Sequence, residues 1–124
     1  MSAHLKPTIQ SFKAGVSLNG LQYTLVKFGA DKDTVIPCGL NEKAIGVLMS
    51  APSTTVGEVV EVAVDGGAKV KCGGAVTLGE SVGSMAGGVL KDQAAASGWA
   101  IGVAMDSGVL NDIIPILIDR HIVP

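Results

Sequence analysis

Gly57-Glu58-Val59-Val60-Glu61-Val62-Ala63-Val64-Asp65-Gly66-Gly67-Ala68-Lys69-Val70-Lys71-Cys72 is the stretch on which the fold turns. Val60, Val62 and Val64 alternate with Glu61 and Ala63, a period of two that puts one face in a core and leaves the other wetter. Asp65-Gly66-Gly67 interrupts the run, and Lys69 and Lys71 then alternate with Val70. Asp-Gly between two alternating arms predicts a β-hairpin, with Glu58 and Glu61 facing Lys69 or Lys71 across it.

Upstream, Ala44-Ile45-Gly46-Val47-Leu48-Met49 recurs downstream as Ala100-Ile101-Gly102-Val103-Ala104-Met105, identical at five of six positions with an offset of 56. A loop and a dense apolar strand follow each copy: Val59 to Val64 after the first, Ile113 to Ile118 after the second. Two matching sets of flanks imply two similar β units, at about 20–66 and 74–121. Two copies are too few for a solenoid, so the units are expected to pack face to face or to close into one small barrel. The repeated glycine inside each strand predicts a bulge or a close approach of backbones.

The remaining elements agree with an all-β chain carrying at most one or two short helical turns. Leu21 to Phe28 reads as a strand after the Asn19-Gly20 turn. Thr34 to Cys38 is a short strand that Pro37 confines to an edge or an end. Lys43 to Met49, Trp99 to Met105 and Asp112 to Ile118 are further strands, and Gly73 to Ser97 holds two or three short ones between Gly turns. Gln93 to Ala96 is the one candidate helical turn. Residues 1–16 show no period and are expected to be a flexible arm that orders on a partner, ahead of a single β domain at 17–124.

Composition narrows function by exclusion. The 124 residues suit one domain, with 48% hydrophobic and 16% charged residues. Seventeen glycines favour turns over helices, and four aromatic residues leave Val, Ile, Leu and Ala to fill the core. Net charge is −2, and the nine basic residues form no stripe, so a nucleic-acid partner is not expected. No run approaches the ~20 apolar residues of a membrane helix, and the N-terminus lacks a signal-peptide core. Synthesis and retention in a cytoplasm, until assembly, are expected.

Chemistry is sparse. Cys38 and Cys72 are too few for a disulfide framework or a zinc site, and read as two buried thiols, a single disulfide staying possible. His4 and His121 lie near opposite termini, with no serine or cysteine that the sequence places beside either. No carboxylate cluster has calcium-loop spacing, and no glycine-rich stretch matches a P-loop. No catalytic, cofactor-binding or metal-binding residue is expected. Lys69, just after a turn, invites comparison with the modified lysine of biotinyl or lipoyl carriers, but lacks the Met-Lys-Met or Asp-Lys-Ala setting those use.

The units Lys43-Ala44-Ile45-Gly46-Val47 and Trp99-Ala100-Ile101-Gly102-Val103-Ala104, with Gly57 to Val64 and a Gly-rich middle between them, carry a resemblance. From about Leu18 to Ile118 the chain resembles the cement, or head decoration, proteins of tailed bacteriophages. The resemblance implies a β-tulip or clip-like fold and an oligomer, most often a trimer. It implies a virion protein on the capsid exterior that binds the major capsid protein and stabilises the expanded shell against internal DNA pressure. It carries no catalytic residue. The arm that contacts the shell in that family corresponds to Ser2 to Gly15, and Lys6, Pro7, Ile9 and Phe12 are its expected contact residues. Another oligomeric shell or tail component, or a small carrier domain, remains as an alternative.

Overall fold

The computed structural model describes residues 7–50, 56–92 and 98–123. Ten strands carry it: β1 (Thr8–Ala14), β2 (Leu25–Phe28), β3 (Thr34–Pro37), β4 (Gly46–Leu48), β5 (Val59–Asp65), β6 (Gly67–Lys71), β7 (Ser81–Ser84), β8 (Leu90–Asp92), β9 (Gly98–Ala104) and β10 (Ile113–Val123). There is no helix among the described residues. The expected helical turn at Gln93 to Ala96 lies outside them.

β1 to β5 close into a barrel in the order β1-β3-β2-β4-β5, and β6 to β10 form a sheet in the order β6-β10-β9-β7-β8. Advancing each strand of the barrel by five reproduces the neighbours of the sheet, and the registers repeat as well. Lys13 faces Val59 and Lys69 faces Pro115; Leu25 faces Val47 and Ser81 faces Val103. In each case both partners move by 56 residues. The units differ at the last seam. β3 pairs in parallel with β1 through two residue pairs, whereas β8 meets the end of β6 by the single bridge Cys72–Leu90.

Two clusters make the core, and no aromatic residue is among their fully buried members, although the half-buried Phe12 packs against one of them. Ala14, Leu18, Val26, Val35, Leu48, Val60 and Val62 fill the barrel. Leu25, Val47 and Ala63 point out of it and join Val70, Val82, Ile101, Ile114 and Ile116 of the sheet in one continuous layer. Full burial of each Val, Leu or Ile side chain among them contributes about 1.5–3 kcal/mol, so this shared layer ties the units together.

Gly46 and Gly102 hold the same position in the two units, and both mark close backbone approaches. A Cβ on Gly46 would run into the Ala63 carbonyl oxygen of β5, and one on Gly102 into the Leu117 carbonyl oxygen of β10. The register of β9 on β10 also shifts between Ile118 and His121.

Three expectations need correction. Asp65-Gly66 is not a hairpin turn: β5 pairs with β1 and β4, β6 pairs with β10, and the two arms do not pair with each other. Gly66, at φ 81°, serves as the crossover between units, and its carbonyl accepts the Ile118 N–H at 2.8 Å. Both edges of β5 were already occupied, which a local turn signal cannot reveal. Second, residues 8–14 of the expected flexible arm form β1. Phe12 and Ala14 face the barrel cluster while Ile9, Ser11 and Lys13 face outward, and β1 covers an edge of β5 that would otherwise be open. Third, the strand expected from Leu21 starts only at Leu25. Tyr23 takes a left-handed φ of 68°, and the buried Thr24 hydroxyl donates to the Leu21 carbonyl at 2.7 Å, making a turn there.

Candidate interaction surface

The expected contact residues do not form one patch. Lys6 lies outside the described residues. Pro7 lines a groove between the two units. Ile9, 40% exposed, faces outward opposite Ala63 on β5. Phe12 lies three residues on and so takes the opposite face of β1. It is half-buried in the mouth of the barrel, where its ring meets Phe28 edge to face at 6.1 Å.

That mouth is a cavity of about 290 Å³ whose apolar wall comes from Phe12, Phe28, Ile45 and Val64. Arg120 closes one side: its Nη1 donates to the carbonyls of Ile45 and Val64, each at 3.0 Å. Lys43 stands on the same rim with its Nζ 4.6 Å from the centre of the Trp99 ring, a cation–π contact. Three of the four aromatic side chains therefore gather outside the core. Arg120 and Lys43 escaped the sequence reading because the register shift in β10 aims Arg120, and nothing local signals it.

The groove at Pro7 has a volume of about 460 Å³. Tyr23, Met49, Met105 and Pro115 supply its apolar lining, and Gly67 to Lys69 of β6 run along it. Met49 and Met105 end the two copies of the repeated hexapeptide, so the repeat brings them to one place. Lys69 is exposed on a strand beside this groove and not at a hairpin tip, which removes the geometry of a carrier lysine.

A third surface is apolar and prominent. The Val76–Gly108 bridge, together with the Leu78 N–H to Ser107 Oγ bond at 2.9 Å, holds the loop after Val76 against the loop before β10. Leu78, Val109 and Leu110 are 60–62% exposed there.

His121, set aside at the sequence level, has a serine partner after all. Its Nε2 lies 2.9 Å from Ser81 Oγ and its Nδ1 2.6 Å from the Asp119 carbonyl oxygen. A carbonyl only accepts, so Nδ1 carries the proton and Nε2 accepts from the serine hydroxyl. Ser81 sits in the β7 ladder opposite Val103, not on a sharp turn ringed by backbone N–H donors as a nucleophile would be. The pair pins β10 to β7 across β9. Cys38 and Cys72 are buried free thiols, not a disulfide, and burial raises the pKa of both. Among the described residues, no group of three or more His, Cys, Asp or Glu side chains is placed to hold a metal ion.

No family model matches the chain, and no curated protein matches it. Among solved structures, it is similar to the N base of the head fiber gp8.5 of bacteriophage phi29, known from a crystal structure. The likeness has a TM-score of 0.65, covers 96% of this chain and 99% of that one, and comes with 13% sequence identity. At that identity it is a likeness of fold, and it takes in both β units.

Proposed function

We propose that this chain is a structural protein of a bacteriophage virion, one that binds the outer surface of the expanded head and stabilises it as a decoration, or cement, protein. The observation that carries the reading is the fold shared along nearly the whole chain with a protein of a phage head. The exposed Leu78, Val109 and Leu110 patch supports assembly with other chains, and a homotrimer is the proposed state. The proposed partner is the major capsid protein, met near the start of the chain, where Ile9 faces outward; Lys6, Pro7 and Phe12 complete that contact only if the partner reaches more than one face. The role involves no catalysis and no cofactor.

The test is to mix the purified protein with unexpanded and expanded heads of the phage that encodes it, pellet both, and follow DNA release on heating. Saturable binding to expanded heads alone, with release moved to higher temperature, is the expected result. Absence from purified virions would overturn the reading. Because the similar fold belongs to a fiber base, a second reading makes this chain the foot of a head fiber. Cryo-electron microscopy of virions separates the two: a decoration protein ends at its own mass, whereas a foot continues into a fiber of another chain.

A further inference from the structure

The mouth of the barrel is where the two units differ most in chemistry. Lys43 and Trp99 are separated by the spacing of the repeat, 56 residues, and so are Val64 and Arg120. All four meet here: Lys43 Nζ lies over the Trp99 ring, and Arg120 Nη1 donates to the Val64 carbonyl. Each pair of repeat positions thus holds one cation and one apolar or aromatic side chain. The two rings at the mouth, Phe12 and Phe28, have Ala68 and Ser84 as their counterparts at the same spacing, so the second unit carries no matching pair of rings.

The guanidinium of Arg120 is fixed in place by the barrel itself. Its Nη1 donates to the carbonyls of Ile45 and Val64, each at 3.0 Å. These bonds take up the two N–H groups of that nitrogen and leave those on Nε and Nη2. That remaining edge matches both oxygens of one carboxylate. Lys43 puts a second positive charge on the same rim, and Glu42, its neighbour in sequence, is engaged by Lys27 at 2.7 Å. Most of the remaining lining is apolar. Phe28 is 49% exposed, and Phe12, Ile45 and Val64 are half-buried. An apolar cavity of about 150 Å³ already holds a benzene ring, and the mouth offers about 290 Å³.

We propose that the barrel mouth binds a carboxylate carried on a single apolar group. Arg120 and Lys43 hold the carboxylate, and the apolar group sits among Phe12, Phe28, Ile45 and Val64. A free small acid and the last residue of a protein chain both offer this chemistry. Both parts of the ligand are needed: an anion without the apolar group leaves the rings wet, and an apolar group without the anion leaves two cations beside it unneutralised. To reach the carboxylate, Lys43 leaves the face of Trp99. Trp99 is the only tryptophan in the chain, so its emission reports that movement. The proposal rests on the mouth alone and stands whether or not the protein belongs to a capsid.

The probes are 3-phenylpropanoate, 3-phenylpropanamide and acetate, each titrated into the isotopically labelled full chain, with backbone amide shifts and Trp99 emission as readouts. Saturable shifts centred on Phe12, Ile45, Val64 and Arg120 are expected with 3-phenylpropanoate. The amide should bind at least about tenfold more weakly, and acetate should not saturate. Arg120→Lys keeps the charge but loses the two-point grip, and should weaken binding about tenfold. Lys43→Gln should weaken it a few-fold and abolish the emission change. If Arg120→Lys does not fold, the acid and its amide on the native chain decide. Acetyl-Gly-Gly-Phe with a free C-terminus, set against its C-terminal amide, separates the two sources. Tighter binding than 3-phenylpropanoate assigns a chain terminus, weaker binding assigns a free small acid, and either order supports the site. Equal affinity of 3-phenylpropanoate and its amide would overturn the proposal, as would saturation by acetate at the same amides or the absence of saturable shifts there.

Discussion

Replacing Gly102 by alanine sets a methyl group against a strand that has nowhere to go. The new Cβ would collide with the Leu117 carbonyl oxygen and would stand 2.9 Å from the Leu117 carbonyl carbon and 3.0 Å from the Asp119 nitrogen. All three atoms belong to the backbone of β10, which is held by β6 on one side and β9 on the other. The strands must part by a substantial fraction of an ångström, and overpacking of this kind costs about 1–3 kcal/mol. Loss of glycine freedom in the unfolded chain returns about 0.4–1 kcal/mol. The net is a destabilisation of about 1–2 kcal/mol, a fall in Tm of about 4–8 °C for a domain of this size. Gly46→Ala should behave alike, since its Cβ meets the Ala63 carbonyl and lies 2.8 Å from Val62 Cγ1. Gly74→Ala is the control: nothing lies within 4 Å of its Cβ, so it should gain about 0.4–1 kcal/mol. Thermal and urea unfolding followed by circular dichroism read all three. A Gly102→Ala protein as stable as the parent, or a Gly74→Ala protein that falls equally, would refute the close-approach argument.

Arg120→Met should lose about 1 kcal/mol in urea unfolding, because it strips two carbonyls of a donor at an exposed site, and amide exchange should rise first around Ile45 and Val64; unchanged exchange there would count against the clamp. Burial raises the Cys38 and Cys72 thiols, the Asp112 charge adding to the effect at Cys72. A raised folded pKa means that their contribution is intact below the ordinary thiol pKa and lost as pH climbs through the folded values. The urea midpoint should therefore drop above about pH 8.5, and Cys38→Ala with Cys72→Ala should flatten that drop. Glu42 accepts from Lys27 Nζ at 2.7 Å and from the Gly39 N–H at 2.6 Å, and these bonds hold its carboxyl below the usual range. A carbon-detected titration should show the lowered value, and Lys27→Met should return it toward normal; no change in that variant would mean that Lys27 is not the cause.

Several features were legible in the residues one at a time. The alternation of Val60, Val62 and Val64 marked β5 correctly, because the burial of one face of a strand imposes that period locally. The Ala-Ile-Gly-Val copies marked β4 and β9, and their glycines marked close backbones. The interaction surface was scarcely legible. Pro7, Ile9 and Phe12 are neighbours along the chain yet scatter over a groove, an outer face and a barrel mouth. Met49 and Met105 are 56 residues apart and share one groove. His121 met Ser81 only because β10 runs to Val123, beyond the end that its apolar run suggested.

The sequence by itself determined a two-unit all-β chain, since strand periodicity, turn glycines and a repeat are properties of short segments. Only the tertiary structure decided who pairs with whom. Asp65-Gly66 is as good a hairpin turn as any, but a strand has two edges, and both edges of β5 went to β1 and β4. The turn then became a crossover, and β6 was handed to β10. Edge occupancy is a competition among all strands at once, and no single stretch of residues encodes its outcome.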